Sequence, residues 1–457
     1  MLILFPYCDL HLQQETFRIV TIPIVDHSDR LDNCFFVIFS EKFLNRPCMC
    51  GEEEQAVAVA GIIAEYNPFH RGHQWQLSAL RGQLGQDTDV VAVMSGNFVQ
   101  RGDLAILEKT ARAEAALRCG VDLVLELPTP WSCATAERFA QGGVALLAAC
   151  GVVTHLVFGS ECGDLDALWS AARCLDGEEY PLALRRLLAT GMTFAAARQA
   201  AVDQLTDGGG GCLSQPNDNL AVEYLRALSR LDSAGGLEPV TFRRVGAAHD
   251  SAEPGAYASA SYIRSLILSG SGDWRASMPE ESAAVAAREI AAGRGPVSLA
   301  HCERAVLARL RTMEEEDFAP YDGGGEGLYH RFYRAVSEGR NLQEILEGAK
   351  TKRYTLARLR RLLLHSYLGV CPAAAVDMPP YLRVLGANER GRKLLRRMAT
   401  EASLPVVTRP AAARALGPEA RSLFDREVRC TDLYTLAYPQ LSQSIPGSEC
   451  MNGPVML

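Results

Sequence analysis

The amino-acid sequence predicts an α/β fold, in which a parallel sheet covered by helices is followed by a mainly helical region. Two observations support this prediction. Between residues 57 and 160, four short apolar runs alternate with helix-like segments, and after about residue 280 the strand signals almost vanish. Short, uniformly apolar strands separated by helices are typical of a parallel sheet that is buried on both faces.

The individual elements follow from this pattern in chain order. The predicted strands are VAVAGIIA, DVVAVMSG, VDLVLELP and THLVFGS, at residues 57–64, 89–96, 121–128 and 154–160. The helix-like segments between them cover residues 72–84, 107–120 and 135–151. Residues 165–235 are predicted to be mainly helical, with a glycine-rich loop at residues 207–211. A fifth strand follows at residues 239–245 and a further helix at residues 259–268.

Composition separates the first 55 residues from the rest of the chain. They hold six of the 15 phenylalanines and four of the 14 cysteines, and the run CFFVIFS (residues 34–40) is a candidate strand. We therefore divide the chain into an extension without an assigned role, a sheet-containing domain, a mainly helical domain and a tail. The predicted boundaries are residues 1–55, 56–275, 276–440 and 441–457.

Charge and cysteine spacing narrow the class of protein. The 457 residues carry a net charge of −8, with 48% apolar and 22% charged residues, which is typical of a globular protein. The cysteines form no CxxC pair, so we expect reduced thiols in a cytoplasmic protein and no structural metal. Because no apolar run approaches about 18 residues, we expect no membrane-spanning segment.

The first strand ends in the sequence EYNPFHRGH (residues 65–73), which carries two histidines three residues apart. If a helix begins near Gly72, both imidazoles lie at its N-terminus, where free amides and the helix dipole favour an anion. Gly72 lets a phosphate approach the backbone without a Cβ in the way. The pattern therefore predicts that His70 and His73 bind phosphate, although two surface histidines or half of a zinc site would share the same spacing.

A second phosphate motif lies in SASYIR (residues 259–264). Ser261 at a helix entry and Arg264 one turn later offer a hydroxyl and a guanidinium to phosphate oxygens, although an ordinary helix cap would also explain Ser261. An early HxGH followed by such a motif resembles the HIGH-type nucleotidyltransferase superfamily, which transfers adenylyl groups from ATP. The resemblance implies a Rossmann-like nucleotidyltransferase fold for the sheet-containing domain.

A narrower resemblance rests on several long strings in one order. GIIAEYNPFHRGHQWQL, MSGNFVQRGD, LVFGSE, QPNDNLAVEYLRAL and KRYTLARLRRLLLH are similar to the bacterial tRNA(Met) cytidine acetate ligase family, from about residue 57 to about residue 400. The resemblance implies an enzyme that activates acetate with ATP as acetyl-adenylate and then acetylates the wobble cytidine of elongator tRNA(Met) to N4-acetylcytidine. Arg71, where the family usually has Asn, and GDLAILEKTAR (residues 102–112) depart from the family pattern.

The resemblance also implies which residues contact ATP, with a magnesium ion expected alongside. Gly159, Asn217 and Arg244 match further family contacts, and Glu65 is a candidate for orienting the reacting amine or a magnesium ion. The loop that would wrap the nucleotide consists of Ile63, Ala64, Glu65, Tyr66, Asn67, Pro68, Phe69, His70, Arg71, Gly72, His73, Gln74, Trp75 and Gln76.

A basic stretch in the helical domain is a candidate RNA surface. Residues 340–400 contain 13 Lys plus Arg against 4 Asp plus Glu, in a chain that is acidic in total. Leucines on one stripe would pack this helix and direct its cations outward, and Tyr354 is a candidate for stacking on a base. The predicted RNA-binding residues are Lys352, Arg353, Arg358, Arg360 and Arg361.

Two other functions agree with parts of the sequence. A small-molecule adenylyltransferase of cofactor biosynthesis would use the same HxGH site, but it gives the basic helical domain no role. A non-catalytic RNA-binding protein that senses a nucleotide would use both regions without turnover. Incorporation of pyrophosphate into ATP that depends on acetate separates the acetate ligase from both alternatives.

Overall fold

The computed structural model describes most of the chain after residue 56 and short segments before it. The described residues are 9–12, 15–23, 34–40, 57–206, 208–231, 236–244, 257–323, 327–372 and 378–457. The chain forms two compact units, Met1–Ala56 and Val57–Leu457. Each unit is described by itself, and the domain boundaries drawn from the sequence stay predictions.

In the first unit, the described backbone forms an antiparallel sheet of three strands. These are β1 (Asp9–Leu12), β2 (Glu15–Pro23) and β3 (Cys34–Ser40), in the order β1-β2-β3. The predicted strand CFFVIFS is thus confirmed as β3. Residues 9–12 and 15–23 of the predicted extension form β1 and β2, and the rest of residues 1–55 lies outside the described part of the chain.

The second unit is built on an eight-stranded sheet. Its strands, with a separate two-stranded ribbon formed by β6 and β7, are β4 (Val59–Ala64), β5 (Asp89–Ser95), β6 (Phe98–Val99), β7 (Asp103–Leu104), β8 (Leu123–Leu127), β9 (His155–Ser160), β10 (Glu238–Arg243), β11 (Leu382–Ala387), β12 (Val406–Val407) and β13 (Val455–Met456). The sheet order is β10-β9-β4-β5-β8-β11-β12, with β13 beside β11.

The five strands predicted from residues 57–245 form the parallel part of this sheet. β10, β9, β4, β5 and β8 pair in parallel, and among the described strands of this sheet β8 and β11 form the antiparallel pair. The chain moves from β4 outward to β8 and then returns to β9 on the other side of β4. This reversal between β4 and β9 is the position at which doubly wound sheets bind ligands, beyond the carboxyl ends of the strands.

Helices cover both faces of the sheet and form the rest of the unit. They are α1 (Arg71–Leu84), α2 (Lys109–Arg118), α3 (Thr129–Ser132), α4 (Ala136–Ala149), α5 (Leu165–Leu175), α6 (Tyr180–Ala189), α7 (Phe194–Leu205), α8 (Pro216–Ser229), α9 (Ala260–Ser269), α10 (Glu280–Ala291), α11 (Glu303–Arg311), α12 (Leu328–Glu338), α13 (Leu342–Ala349), α14 (Leu356–Leu368), α15 (Glu389–Glu401), α16 (Pro418–Thr435) and α17 (Ser448–Met451). Within the described residues, none of these helices is long and apolar enough to cross a membrane.

Side chains of successive residues along a strand point to opposite faces of the sheet, so the core has two layers. Val59 and Ile63 of β4 pack in the layer that includes α4 and α8, whereas Ala60 and Ile62 pack in the layer that includes α1 and α2. Burial on both faces explains why the strand is apolar throughout rather than at every second residue. Most of the helical region has a separate core, to which α12 and α14 contribute.

Two local predictions were wrong. The strand signals do not end near residue 280, because β11 enters the main sheet and β12 and β13 pair with it. β11 contains Arg383 and Gly386, which interrupt the apolar run that marks the other strands. The glycine-rich loop predicted at residues 207–211 is also partly helical: a 3₁₀ helix spans Gly209–Ser214, and the Gly210 amide donates to Asp203 Oδ1 at 2.8 Å. Residue 207 lies outside the described part of the chain.

Candidate active site

His70 is the N-cap of α1, which begins just beyond the carboxyl end of β4. Its Nδ1 accepts the Gly72 amide at 3.1 Å, and His73 Nδ1 accepts the His70 amide at 3.2 Å. The two rings stack with their centroids 3.8 Å apart. Because both Nδ1 atoms accept backbone protons, each neutral ring carries its own proton on Nε2. The HxGH spacing therefore serves as a helix cap and fixes the tautomer of both histidines.

His73 is held as a neutral imidazole. Burial lowers its pKa well below the usual value, and the nearby His70 and Arg244 lower it further. The rings of Tyr66 and Phe69 enclose it at centroid distances of 5.0 and 5.3 Å. Tyr66 has a φ of 44°, a left-handed conformation that residues other than glycine rarely adopt, and such strain is common where a fold positions functional groups.

The second predicted motif lies against the first. Arg264 of α9 donates from Nη1 to the Asn67 carbonyl oxygen at 2.7 Å and from Nη2 to Ser261 Oγ at 3.1 Å. Ser259 is the residue that caps α9, through a bond from the Tyr262 amide, so Ser261 is not a helix cap. The structure thus brings together SASYIR and EYNPFHRGH, which are almost 200 residues apart in sequence.

Gly159 and Arg244 lie next to each other at the carboxyl ends of β9 and β10. A Cβ atom on Gly159 would be only 3.1 Å from Arg244 Cγ, and the Arg244 amide donates to the Ser160 carbonyl oxygen at 2.8 Å. Burial lowers the pKa of Arg244, against the opposing effect of Glu161. Since the charge of Arg244 also acts on His73, these residues border one region on either side of the β4–β9 reversal.

Asn217 is held by a carboxylate that sequence reasoning missed. Its Nδ2 donates to Glu161 Oε1 at 2.5 Å, and Glu161 also accepts the Asp218 amide at 2.7 Å. In return, Asp218 accepts the amides of Glu161 and Cys162, at 2.6 and 3.1 Å. α8 begins at Pro216, so Asn217 lies in its first turn. A nucleotide contact by Asn217 stays a prediction.

Arg112 is a second residue that the sequence analysis missed. It is 1% exposed and donates to the carbonyl oxygens of Leu107, Glu65 and Ser95 at 2.9, 2.6 and 3.1 Å, and also to that of Gly96. One guanidinium thus joins the carboxyl ends of β4 and β5. Its sequence context, an Arg within an Ala-rich helix, gave no signal of this role.

The basic helix α14 reaches the same edge of the sheet. Arg361 Nη1 donates to the Gln100 carbonyl oxygen at 3.2 Å, and Arg358 Nη2 pairs with Asp322 Oδ1 at 3.1 Å. Lys352 and Arg353 are exposed, whereas Arg358, Arg360 and Arg361 are half-buried. Among the described residues, fewer cations of this basic stretch are fully exposed than the leucine stripe predicted.

The prediction that Tyr354 stacks on a base is wrong. Its ring is buried in the helical core, and the guanidinium groups of Arg353 and Arg358 lie 5.7 and 5.2 Å from its centroid. The ring therefore has no face available for a nucleobase. Leu359 and Leu363 are buried beside it, as the stripe predicted.

These groups form a cationic rim, which we define as His70, His73, Arg244 and Arg264 together with the amides at the start of α1. Helix-terminal amides, directed imidazole protons and guanidinium groups are suited to binding an anion with several oxygens, such as a triphosphate. Among the described residues, no group of three or more His, Cys, Asp or Glu side chains is arranged to hold a metal ion.

Comparisons with known proteins agree with this geometry. The family model described as HIGH Nucleotidyl Transferase matches residues 57–448. The tRNA(Met) cytidine acetate ligase of Fervidobacterium nodosum is 36% identical over 418 residues, covering 86% of this chain and 97% of that protein. The tRNA(Met) cytidine acetate ligase of Thermotoga maritima is 36% identical over 416 residues, covering 86% of this chain and 99% of that protein.

Two solved structures are also similar. The apo crystal structure of Thermotoga maritima TmcAL has a TM-score of 0.83 at 35% identity, and the structure bound with alpha-thio ATP has a TM-score of 0.81 at 35% identity. Each comparison covers 88% of this chain and 100% of the other chain. The Rossmann-like nucleotidyltransferase fold predicted from the sequence is therefore confirmed, and the chain belongs to the tRNA(Met) cytidine acetate ligase family of HIGH nucleotidyltransferases.

Proposed function

We propose that this protein is an ATP-dependent ligase that converts acetate to acetyl-adenylate and transfers the acetyl group to the wobble cytidine of elongator tRNA(Met), forming N4-acetylcytidine. The observation that carries the proposal is the cationic rim, which lies at the sheet reversal of a chain whose relatives are named tRNA(Met) cytidine acetate ligase. A similar structure that holds an ATP analogue supports ATP as the nucleotide.

In the first step, an acetate oxygen attacks the α-phosphorus of ATP and pyrophosphate leaves. Acetate is already ionised at neutral pH, so this attack needs no general base. The chain's task is to align the reactants and to stabilise negative charge on the phosphate oxygens. The amides of α1 and the Nε2 proton of His73 are suited to this task because they are fixed before the reaction begins.

Arg244 and Arg264 would add positive charge on either side of the histidines. Residues 63–76, Gly159 and Asn217 would complete the nucleotide site, as the resemblance implies. We propose that ATP enters as its Mg²⁺ complex, with the ion held mainly by phosphate oxygens and water.

In the second step, the exocyclic amine of cytosine attacks the carbonyl carbon of acetyl-adenylate. A C–N bond forms, the bond between the carbonyl carbon and the adenylate oxygen breaks, and AMP leaves. The basic stretch at residues 340–400 would guide the tRNA, with Lys352, Arg353, Arg358, Arg360 and Arg361 as candidate phosphate contacts. A tRNA substrate also implies a cytoplasmic location.

The direct test is to incubate the purified protein with ATP, labelled acetate and total tRNA, and then to analyse the nucleosides. We expect label in N4-acetylcytidine, only when ATP is present and only in elongator tRNA(Met). A small-molecule adenylyltransferase or a nucleotide-sensing RNA-binding protein would leave the tRNA unlabelled, and that result would contradict the proposal.

A further inference from the structure

The hairpin of β6 and β7 joins the nucleotide corner to the basic helix. The Gln100 amide donates to Glu65 Oε1 at 3.0 Å, while the Gln100 carbonyl oxygen accepts Arg361 Nη1 at 3.2 Å. Gly102 has a φ of 77° and lies so close to α14 that a Cβ atom would be 2.5 Å from the Arg361 amide nitrogen. Only glycine fits there, so this hairpin is held firmly between the two parts of the site.

Asp103 follows that glycine and brings a carboxylate to the junction. Its Oδ1 accepts the amide of Leu104 at 2.9 Å, and among the described residues it forms no ion pair. The positive charges of Arg360 and Arg264 and the negative charge of Glu65 act on it from the basic helix, from α9 and from the end of β4. A half-buried carboxylate that accepts one backbone amide and forms no ion pair among the described residues has unused acceptor capacity.

The chemistry of cytosine suggests a use for this acceptor. The exocyclic N4 amine of cytosine is a hydrogen-bond donor, and Asp or Glu carboxylates are its usual protein partners. Arg264 of the cationic rim and Arg360 of the candidate tRNA helix both act on Asp103 through their charge. The hairpin that carries Asp103 contacts Glu65 at the end of β4 and Arg361 of α14 through Gln100. A base delivered along α14 to an adenylate held at the rim would reach this carboxylate.

We propose that Asp103 accepts a hydrogen bond from the N4 amine of the wobble cytosine and takes the proton that this amine loses during acetyl transfer. This inference rests on the proposed function, which supplies the cytidine and the acetyl-adenylate. In the step, the N4–carbonyl bond forms, the carbonyl–adenylate bond breaks, AMP leaves with the electron pair, and the proton moves from N4 to an Asp103 carboxylate oxygen.

Burial is consistent with the role of a base. It raises the pKa of Asp103 above the ordinary value, against the opposing effects of the Leu104 amide and the charges of Arg360 and Arg264. A carboxylate with a raised pKa binds a proton more strongly at neutral pH, and general acid–base catalysis typically contributes about 10²–10⁴-fold.

The experiment measures the two steps separately in wild type and in Asp103→Asn. Asparagine keeps an oxygen for the Leu104 amide but cannot take a proton. We expect acetate-dependent exchange of pyrophosphate into ATP to stay within about twofold. Single-turnover acetyl transfer to tRNA should fall about 100-fold or more. The Kd for tRNA should also stay within about twofold.

Two further readouts separate a base from a structural residue. Wild-type transfer should slow as pH falls through the raised pKa of Asp103, because protonation removes the acceptor, and the Asn variant should lack this acid limb. Asp103→Glu, which restores a carboxylate, should recover part of the transfer rate. Glu419→Gln, an exposed acid on α16, is the remote control and should change neither step.

Three results would overturn the proposal. They are transfer at the wild-type rate by Asp103→Asn, an equal loss of exchange and transfer that Asp103→Glu does not rescue, and loss of transfer in Glu65→Gln while Asp103→Asn stays active. If the wild-type protein itself shows no acetate-dependent exchange, the proposed function fails first and this inference fails with it.

Discussion

Two groups of charges lie near the same edge of the sheet and differ in how they are balanced. The cationic rim contains two arginines and two histidines around a helix N-terminus. The buried charge cluster, which we define as Lys109, Glu126, Arg383, Glu427 and Glu449, contains cations and carboxylates, most of which contact one another. The first group is suited to binding an anion, whereas the second mainly holds the chain together.

The buried charge cluster joins distant segments. Lys109 Nζ lies 2.7 Å from Glu126 Oε1 and 2.5 Å from Glu449 Oε1, and it is 2% exposed. Arg383 Nη2 lies 3.3 Å from Glu449 Oε1. Burial would lower the pKa of Lys109, but the two carboxylates raise it above the ordinary value. The α17 segment near the end of the chain is thereby fixed to the start of α2.

Glu427 extends the cluster towards α3 but is not matched by a cation. It accepts the Thr129 amide at 2.9 Å and the Thr129 hydroxyl at 2.8 Å. Burial, followed by the charge of Glu126, raises the pKa of Glu427 above its ordinary value. A raised pKa favours the protonated form, in which Glu427 does not repel the two other buried carboxylates. The ion pairs of the buried charge cluster therefore serve structure, whereas the groups of the cationic rim are the ones suited to a ligand.

The largest effect that we expect is on stability, from Lys109→Met. This change removes the nearer cation from the buried Glu126 and Glu449 and leaves them with Arg383 at 3.5 and 3.3 Å. Breaking a buried ion pair in this way typically costs about 3–5 kcal/mol in the free energy of unfolding. Urea unfolding measures the loss. Arg118→Met removes an exposed partner of Glu114 in the same helix and should cost less than about 1 kcal/mol. If the two variants lost the same free energy of unfolding, buried and exposed ion pairs would contribute equally to stability, which would contradict this prediction.

At the rim, His73→Ala should act on the reaction and leave the fold intact. Removing one directed donor to developing charge typically costs about 3 kcal/mol, or roughly 10²–10³ in rate. Acetate-dependent pyrophosphate exchange measures the loss, and the thermal unfolding midpoint reports the fold. His330→Ala, an exposed histidine beside Glu315, is the matched control and should retain full exchange. Unchanged turnover in His73→Ala would exclude the phosphate role.

The pH dependence of the free energy of unfolding tests a third buried titratable group, His365. His365 Nε2 lies 2.7 Å from the Cys133 carbonyl oxygen, and burial lowers the pKa of His365 to about 4. The unfolded chain, with a histidine pKa near 6.5, binds more protons between these values. The stability contributed by neutral His365 is therefore complete above about pH 6.5 and is lost as pH falls towards 4.

From pH 7.5 to pH 5, this group should account for about 2 kcal/mol of lost stability. Urea unfolding of wild type and His365→Gln at both pH values isolates the contribution, because other titrating groups affect the two proteins alike. The pH-dependent loss should be smaller in the variant by about that amount. Parallel losses in the two proteins would show that His365 titrates normally.

The smallest expected effect is on RNA affinity. Arg360→Gln should weaken tRNA binding by about 1 kcal/mol and reduce the salt dependence of the binding constant by about one phosphate contact. Filter binding at two salt concentrations measures both changes. Arg340→Gln removes an exposed arginine that is already paired with Glu344, and it should have less effect. If both variants bind tRNA like wild type, the candidate RNA surface on α14 is misplaced.

The sequence predicted the parts of the molecule that depend on local pattern. Continuous apolar runs identified β4, β5, β8 and β9, because burial on both faces excludes most polar residues from them. The spacing of His70 and His73 identified a helix N-terminus, because capping is decided within one turn of the chain.

The remainder depends on contacts between distant residues. Lys109 and Glu449 are 340 positions apart, and nothing near either residue indicates its partner. The bond between Glu161 and Asn217 crosses 56 positions, and β11 is recognisable only as a strand beside β8. The burial of Tyr354 likewise depends on how α14 packs against the other helices of its core.

The measurement that tests the central claim most directly is the exchange of labelled pyrophosphate into ATP by the purified protein, with and without acetate. If the cationic rim holds the triphosphate while a carboxylate captures the adenylyl group, label should enter ATP only when acetate is present. Exchange that is absent under both conditions, or that proceeds equally without acetate, would contradict this account.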